Sequence, residues 1–192
     1  MGTDKTLANA WEQHLGAEFT EMNADHAVAT MTAAAYVNEV PLMLGGTGRD
    51  GVRDFYADHF LSQLPEDMEV VPVSRTIGQD RVVDELIMRF THSIRIDWLL
   101  PGIEPTRRRV EVPVVAVVQF EGDKIAHEHV YWDQASVLVQ VGLLDRSLPV
   151  RGGEIAAQVV SPTQPMNELI HRASVGVVGP HSSSRPDAGA GG

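Results

Sequence analysis

The sequence contains no cysteine. This absence excludes disulfide bonds, thiolate nucleophiles and cysteine-ligated zinc within the chain. Long apolar runs are missing too: no stretch of 18 apolar residues predicts a transmembrane helix, and the N-terminal residues MGTDKTLANAW hold no apolar signal core. We therefore expect a cytoplasmic protein with no membrane partner.

Basic residues are few. There are 15 lysines and arginines against 26 aspartates and glutamates, and the formal net charge is −11 at pH 7. Binding to nucleic-acid phosphates requires clustered Lys and Arg side chains, so we expect no nucleic-acid partner. The basic run Arg107–Arg109 follows Pro105 in a predicted loop, and we interpret it as a solvated surface rather than an anion site.

The remaining composition is that of a globular protein. A chain of 192 residues with 43% hydrophobic residues suits one domain with a sizeable core. We predict a domain over residues 1–153 and a C-terminal extension over 154–192. The extension is expected to be disordered from about residue 179, because its final residues, PHSSSRPDAGAGG, offer little apolar surface to bury.

Apolar periodicity predicts helices first and strands afterwards. Leu7, Trp11, Leu15 and Phe19 recur every four residues and predict an amphipathic N-terminal helix. A strand is predicted over 30–40, a helix over 49–64, strands over 68–75, 81–97, 110–120 and 124–132, and a short helix over 135–144. This order is typical of an α+β fold. A curved antiparallel sheet wrapped around the N-terminal helices would leave a cone-shaped cavity, which is a common kind of ligand site.

Residues 46–51, with glycines at 46, 48 and 51, formally match the G-x-G-x-x-G motif of dinucleotide-binding proteins. That function requires a βαβ unit with parallel strands, whereas antiparallel strands are predicted to follow here. We interpret the motif as a turn and the start of a helix.

The segment of residues 127–134, HEHVYWDQ, brings together several side chains that could take part in catalysis or metal binding. Strand alternation places Glu128, Val130 and Trp132 on one face, and His127, His129, Tyr131 and Asp133 on the other. A solvated surface strand would not need Trp, Tyr and two His together. One face is therefore expected to line a pocket, and the other an interface or a second polar layer.

Three interpretations of this segment stay open. If Glu128 faces an apolar cavity, loss of solvation raises its pKa and makes it a general base or acid near neutral pH. If His127 and His129 face inward, their spacing suits a metal ion with Asp133 or His92 as a third ligand. The third interpretation is a hydrogen-bonded network that fixes sheet packing or a dimer contact.

Several short motifs resemble those of the SnoaL-like polyketide cyclases. They are Thr91-His92, PGIEPT at 101–106, FEGDKI at 120–125 and WDQ at 132–134, and the resemblance covers roughly residues 5–145. It implies a cone-shaped nuclear transport factor 2-like fold, a homodimer, a small apolar substrate, and catalysis with no metal or organic cofactor.

The chain also departs from the family pattern. Aligned with the family, Glu128 stands where cyclases carry His, and Val130 stands where they carry the acid/base Asp. Val114 and Ala116 fall where polar pocket residues are expected, and Arg107 replaces a loop Gly. Catalysis would therefore depend on a different acidic residue, for which Glu128 is the candidate.

Our hypothesis is a cofactor-independent enzyme that transfers protons on a small apolar carbonyl or ring compound, by cyclisation, isomerisation, dehydration or hydrolysis. Glu128 would be the base and His92 would donate to a developing oxyanion. The residues expected to shape the pocket are Tyr36, Trp98, Trp132, Val130 and Ala116. The alternatives are a non-catalytic binding or dimerisation module of the same fold, and a metal-dependent hydrolase or lyase using His127 and His129.

Overall fold

The computed structural model describes residues 2–175. Its helices are α1 (Gly2–Phe19), α2 (Ala24–Ala29), α3 (Gly48–Phe55), α4 (Gln134–Gln140), α5 (Glu154–Val160) and α6 (Glu168–Val175). Its strands are β1 (Met31–Glu39), β2 (Leu44–Thr47), β3 (Glu69–Ile77), β4 (Arg81–Thr91), β5 (Arg109–Glu121) and β6 (Lys124–Trp132). Helix α3 continues into a π-helical turn (Tyr56–Phe60) and a 3-10 turn (Leu61–Gln63).

The six strands form one curved, unclosed sheet in the order β2-β1-β6-β5-β4-β3. Strands β3 to β6 are consecutive and pair antiparallel, as hairpin connections require. Strand β1 instead pairs parallel with β6, so the sheet is not antiparallel throughout. The two strands are far apart in the chain, and no hairpin fixes their relative direction. The predicted α+β class with a curved sheet is confirmed.

The core lies between α1 and the inner face of the sheet. Along β5 every second residue is buried, from Val110 to Phe120, as alternation across a one-sided sheet requires. From α1, Leu7 and Trp11 are each 2% exposed, while Leu15 and Phe19 pack against the same core. The predicted stripe of the N-terminal helix is thereby confirmed. Among the described residues, no helix has the length and apolar character to cross a membrane.

Strand β4 ends at Thr91, six residues earlier than predicted. The chain then turns, and the side chain of Asp97 fixes the turn by accepting hydrogen bonds from Arg95 Nε (2.7 Å) and from the backbone N–H of Gly102 (3.2 Å). The next residues, Trp98, Leu99 and Leu100, are buried in the core. The stretch is apolar because it packs inward as an irregular segment, and not because it continues the strand.

The C-terminal extension contributes to the packing near its start. Ala156 of α5 is fully buried, and Ser136 Oγ donates a hydrogen bond to the Gly152 carbonyl at 3.1 Å. The boundary at residue 153 stays a prediction. The segment predicted to be disordered, from about residue 179, lies outside the described residues.

Glycines at the junction of β2 and α3 allow a very close approach of strand and helix. A Cβ atom on Gly46 would lie 2.2 Å from the carbonyl oxygen of Gly51, and Gly48 has a φ of +70°. The motif at 46–51 thus contains the end of β2 and the start of α3, so the predicted helix start is confirmed, whereas its first two residues are strand and not turn.

We predict that Gly46→Ala lowers the free energy of unfolding by about 1–3 kcal/mol, because strand and helix must move apart to admit the methyl group. The matched control is Gly16→Ala in α1, where a Cβ would meet no atom within 4 Å. This change should be neutral or stabilise by about 0.5–1 kcal/mol. Urea unfolding followed by circular dichroism measures both, and equal effects of the two variants would contradict the account.

Candidate functional site

A cavity of ≈ 50 Å³ lies between α1 and the inner face of the sheet. Its walls are mainly aliphatic and aromatic, and among the described residues its ionisable lining groups are three carboxyls and one phenol. These are Glu18, Glu39, Glu128 and Tyr56. The apolar lining consists of Trp11, Leu15, Phe19, Val37, Phe60, Leu86, Met88, Trp98, Leu99, Val112, Val114, Ala116, Val130 and Trp132.

Two of the carboxyls come from neighbouring strands. In the parallel pairing of β1 with β6, Val37 is opposite Glu128 and Glu39 is opposite Val130. Since alternate residues of a strand share a face, all four side chains point into the cavity. Glu39 and Glu128 are only 5% and 4% exposed. Two carboxyls are therefore held away from water on adjacent strands.

Helix α1 places a fully buried imidazole against these carboxyls. His14 lies three residues after Trp11 and four before Glu18, a spacing that puts the three side chains on one helical face. Its Nε2 atom is 2.9 Å from Glu128 Oε1 and 3.3 Å from Glu18 Oε1. It is also 3.3 Å from the Tyr56 hydroxyl. His14 thus stands between two carboxylates and a phenol.

The other nitrogen of His14 has a defined role. The Thr30 hydroxyl donates its proton to the Ala27 carbonyl at 2.7 Å, so its oxygen accepts from His14 Nδ1–H at 2.6 Å. With Nδ1 as a donor, an unprotonated Nε2 would set its lone pair against carboxylate lone pairs. A proton on Nε2, which makes the ring an imidazolium, turns the contacts with Glu128 and Glu18 into ion pairs.

The pKa shifts agree with this assignment. Burial opposes the charge on His14, but the carboxylates of Glu128 and Glu18 outweigh burial and raise its pKa to about 10. Burial raises the pKa of Glu128, and the adjacent His14 charge opposes that rise. Glu39 has no cationic partner among the described residues: burial, and then the negative charges of Glu128 and Glu18, raise its pKa well above the ordinary value. One buried carboxyl of the cavity therefore has a cationic partner, and another is pushed toward its neutral form.

Three polar atoms on residues that line the cavity have no hydrogen-bond partner within the described part of the chain. They are Glu39 Oε2, Trp98 Nε1 and Glu128 Oε1. Glu128 Oε1 is close to His14 Nε2, but that contact is an ion pair outside hydrogen-bond alignment. Buried polar groups normally find partners, so these atoms are available to a bound molecule.

Tyr56 reaches the site through an irregular helix. It begins the π-helical turn Tyr56–Phe60 that follows α3, and such turns recur at functional sites because they re-aim side chains. Burial, followed by the negative charge of Glu128 and Glu18, raises the pKa of Tyr56. Its hydroxyl therefore stays protonated and can donate a hydrogen bond to the carboxylates.

Most residues predicted to form the pocket line this cavity. Glu128, Val130 and Trp132 face inward on β6, joined by Trp98 and by Ala116 on β5. The rings of Trp98 and Trp132 meet edge to face, with centroids 6.3 Å apart.

Two predicted pocket residues do not line the cavity. Tyr36 precedes the inward-facing Val37, so alternation places it on the outer face, where its hydroxyl lies 2.9 Å from His129 Nε2. His92 lies past the end of β4 and is buried beside the 101–106 loop. The backbone N–H of Thr106 donates to its Nδ1 atom at 3.3 Å. Burial lowers the pKa of His92, which behaves as a neutral core histidine.

The histidines of the metal alternative lie on the outer face. The rings of His127 and His129 stack with centroids 4.7 Å apart. Asp133 instead caps α4, accepting a hydrogen bond from the backbone N–H of Ser136 at 3.1 Å. His127, His129 and Asp133 therefore do not form a metal site. Among the described residues, ligand atoms lie close enough together for a metal ion in a different group, which is His14, Glu18 and Glu128.

Sequence reasoning missed four groups of the site: His14, Glu18, Glu39 and Tyr56. A signal for the first two was present, because both fall on the predicted apolar face of α1, where polar side chains are unusual. The signals for Glu39 and Tyr56 were weaker. Glu39 is the last residue of a strand, and Tyr56 is one member of an apolar helical stripe.

A sequence model of the SnoaL-like domain matches residues 6–128. A candidate SnoaL-like polyketide cyclase from Jannaschia sp. CCS1 is 17% identical with a TM-score of 0.63, over 76% of this chain and 97% of that chain. TsrD from Streptomyces laurentii is 18% identical with a TM-score of 0.58, over 73% and 97%.

A protein of ketosteroid isomerase-like fold from Catenulispora acidiphila, in complex with trimethylamine, is 20% identical with a TM-score of 0.54, over 72% of this chain and 93% of that chain. At these identities the likeness shows the shared fold alone, which is nuclear transport factor 2-like. No curated protein gives a significant match to the chain.

We predict that stability falls as pH rises from 7 to 10. The ordinary histidine pKa is 6.5 and that of folded His14 is about 10, so across this range the folded chain holds a proton that the unfolded chain has lost. Its stabilising effect is complete below pH 6.5 and disappears near pH 10. The His14 proton alone should cost about 1.4 kcal/mol for each pH unit, and Glu39, whose pKa burial also raises, adds to the slope in the same direction.

Urea unfolding at pH 7, 8.5 and 10 measures this slope. The double variant His14→Gln/Glu128→Gln should flatten it, because both partners of the ion pair are then neutral. His92 and His127, whose pKa values are lowered, titrate below this range and do not contribute. Stability that is constant or rises between pH 7 and 10 would show that His14 is not held as the imidazolium.

Proposed function

Because the chain belongs to the SnoaL-like domain family, we propose that it is a cofactor-independent enzyme that transfers protons on a small apolar carbonyl compound. The observation that carries the proposal is that Glu128 Oε1 and Glu39 Oε2, two buried carboxyl oxygens on one cavity wall, have no hydrogen-bond partner among the described residues. A base and an acid therefore border one apolar cavity, which is the arrangement that enolisation needs.

Glu128 is the proposed base. The imidazolium of His14 keeps this buried carboxylate ionised, and its Oε1 atom accepts no aligned hydrogen bond. A carboxylate that burial has made more basic and that has a free lone pair accepts a proton readily. His14 acts as a positioning residue, because its position between two carboxylates and a phenol fixes the charge state of Glu128.

Glu39 is the proposed acid, in place of His92. Its neutral carboxyl can donate a hydrogen bond to the oxygen of a carbonyl as negative charge develops there. Proton abstraction by Glu128 from the carbon next to that carbonyl breaks the C–H bond. The electron pair forms the carbon–carbon double bond of an enolate, whose oxygen Glu39 stabilises. Return of the proton from Glu128 to another carbon isomerises the substrate. In cyclisation the enolate carbon instead attacks a second carbonyl, a carbon–carbon bond forms, and the resulting alkoxide takes the proton back from Glu128.

The walls of the cavity favour a small apolar compound. Its volume of ≈ 50 Å³ is below the roughly 150 Å³ of an engineered cavity that holds benzene. A ring compound would therefore require the buried segment around Trp98 to move. The trimethylamine complex of the Catenulispora acidiphila relative supports a small molecule as the occupant of such a fold.

A non-catalytic module is the second candidate, favoured by Val130 in the position of the family's acid/base Asp. In this case the cavity would bind a ligand without turnover. The contact of a homodimer would then be formed by the outer-face group of Tyr36, His127, His129 and Tyr131. Light scattering measures the mass of such a dimer. We propose a cytoplasmic homodimer for the enzyme as well, on the resemblance to the family.

We predict that the wild-type protein catalyses hydrogen–deuterium exchange next to the carbonyl of small ketones, because enolisation is the first step of the proposed chemistry. The panel contains acetone, butanone, cyclopentanone and cyclohexanone in D2O, with proton NMR as the readout. Glu128→Gln should lower the exchange rate by roughly 10²–10⁴-fold, the usual contribution of a general base.

The control is His127→Gln, which changes the neighbouring outward-facing residue of the same strand and should leave exchange unchanged. Circular dichroism confirms that both variants fold. Unimpaired exchange in the Glu128→Gln variant would refute the assignment of the base. Ketone binding without exchange in the wild type would favour the non-catalytic module.

A further inference from the structure

The cluster of His14, Glu18 and Glu128 has the dimensions of a metal site. One ligand atom from each residue lies within 4.8 Å of the other two. The Nε2 atom of His14 is 2.9 Å from Glu128 Oε1 and 3.3 Å from Glu18 Oε1. Ligands that each lie about 2.0–2.2 Å from one tetrahedral metal ion are separated by about 3.3–3.6 Å, so His14 and the carboxylates would move apart by only a few tenths of an ångström to admit an ion.

The surroundings of His14 match those of a metal-ligating histidine. Such residues donate their second N–H to a carboxylate, a backbone carbonyl or water, which fixes the tautomer and turns the other nitrogen toward the metal. Here Nδ1 lies 2.6 Å from Thr30 Oγ1 and 3.2 Å from the Ala27 carbonyl. Nε2 therefore faces the two carboxylates.

A second observation points to a bound cation. Glu128 is 4% exposed, lines the cavity, and its Oε1 atom has no hydrogen-bond partner among the described residues. The carboxyls of Glu18 and Glu128 both contact the one imidazole. The hydroxyl of Tyr56, 3.3 Å from His14 Nε2, offers a third oxygen, and the cavity has room for a water ligand.

We propose that His14, Glu18 and Glu128 bind one divalent first-row transition metal ion. One imidazole nitrogen with two carboxylate oxygens suits Zn²⁺, Co²⁺ or Mn²⁺, whereas Mg²⁺ and Ca²⁺ prefer oxygen ligands alone.

This inference does not depend on the proposed function, because binding is measured without a substrate. The two are linked in one respect: an ion on Glu128 occupies the lone pair that the proposed base uses. Metal binding should therefore inhibit proton exchange on ketones where that exchange is found. An inactive protein that binds metal, and an active protein that does not, are distinguishable results.

The experiment titrates Co²⁺ into untagged protein after dialysis against a chelator, with the visible absorption of Co²⁺ and isothermal calorimetry as readouts. One equivalent should bind to the wild type. Glu18→Gln and Glu128→Gln should each weaken binding by more than the roughly 10–100-fold that follows loss of an outer-shell partner. The matched control is Glu12→Gln, a carboxyl of the same helix that pairs with Arg75 outside the cluster, which should bind Co²⁺ within a few-fold of the wild type.

Three results would overturn the proposal. They are the absence of Co²⁺ binding to the wild type, unchanged affinity in both Glu18→Gln and Glu128→Gln, and loss of binding in the outer-face variant His127→Gln/His129→Gln instead.

Discussion

The contact between His14 and Glu128 is the interaction on which the site depends. A buried carboxylate in an apolar cavity loses its hydration and reverts to the neutral acid unless a positive charge stays beside it. His14 supplies that charge at 2.9 Å, and Thr30 and Ala27 hold its other nitrogen. Removing one partner of such a pair is costly, because the other charge remains buried and unpaired. The cavity therefore requires both residues.

The contact between His14 and Glu128 also requires α1 to dock on the sheet at one defined position. A few residues earlier on the same helix, Trp11 Nε1 donates to Asp84 Oδ2 at 2.7 Å. Arg75 on β3 donates to both oxygens of Asp84 on β4, at 2.5 and 2.6 Å. One end of the buried helical face is thus tied to β3 and β4, and the other end reaches β6 through His14. The contacts that dock the helix place the imidazole against the carboxylate.

Part of this arrangement could be predicted from the sequence. Alternation along residues 127–132 identified the inward set on β6, since a strand has only two faces, and fourfold spacing identified the buried stripe of α1. The placement of Tyr36 failed for a physical reason. At the end of β1 each face carries one apolar and one polar residue, Tyr36 with Asn38 outward and Val37 with Glu39 inward, so polarity could not show which face was buried. His92 was displaced because the chain turns at Thr91, and no periodic pattern marks that end.

The pairing of α1 with β6 could not be predicted from one sequence. His14 and Glu128 are separated by more than half the chain, and their contact depends on how the helix docks and on the parallel pairing of β1 with β6. Each residue has an ordinary local explanation. His14 is a polar residue on an apolar helical face, and Glu128 is a member of an alternating strand. Their chemistry arises from the juxtaposition, and local spacing carries no signal for it.

The most direct test is the charge state of His14 in the folded protein. Long-range proton–nitrogen NMR of the ¹⁵N-labelled chain, with His14→Gln to assign the signal, reports protonation of both ring nitrogens. The account predicts that both remain protonated at pH 7.5 and that Nε2 loses its proton only near pH 10. A neutral His14 at pH 7.5 would contradict it, because Glu128 would then lack the charge that keeps it a carboxylate.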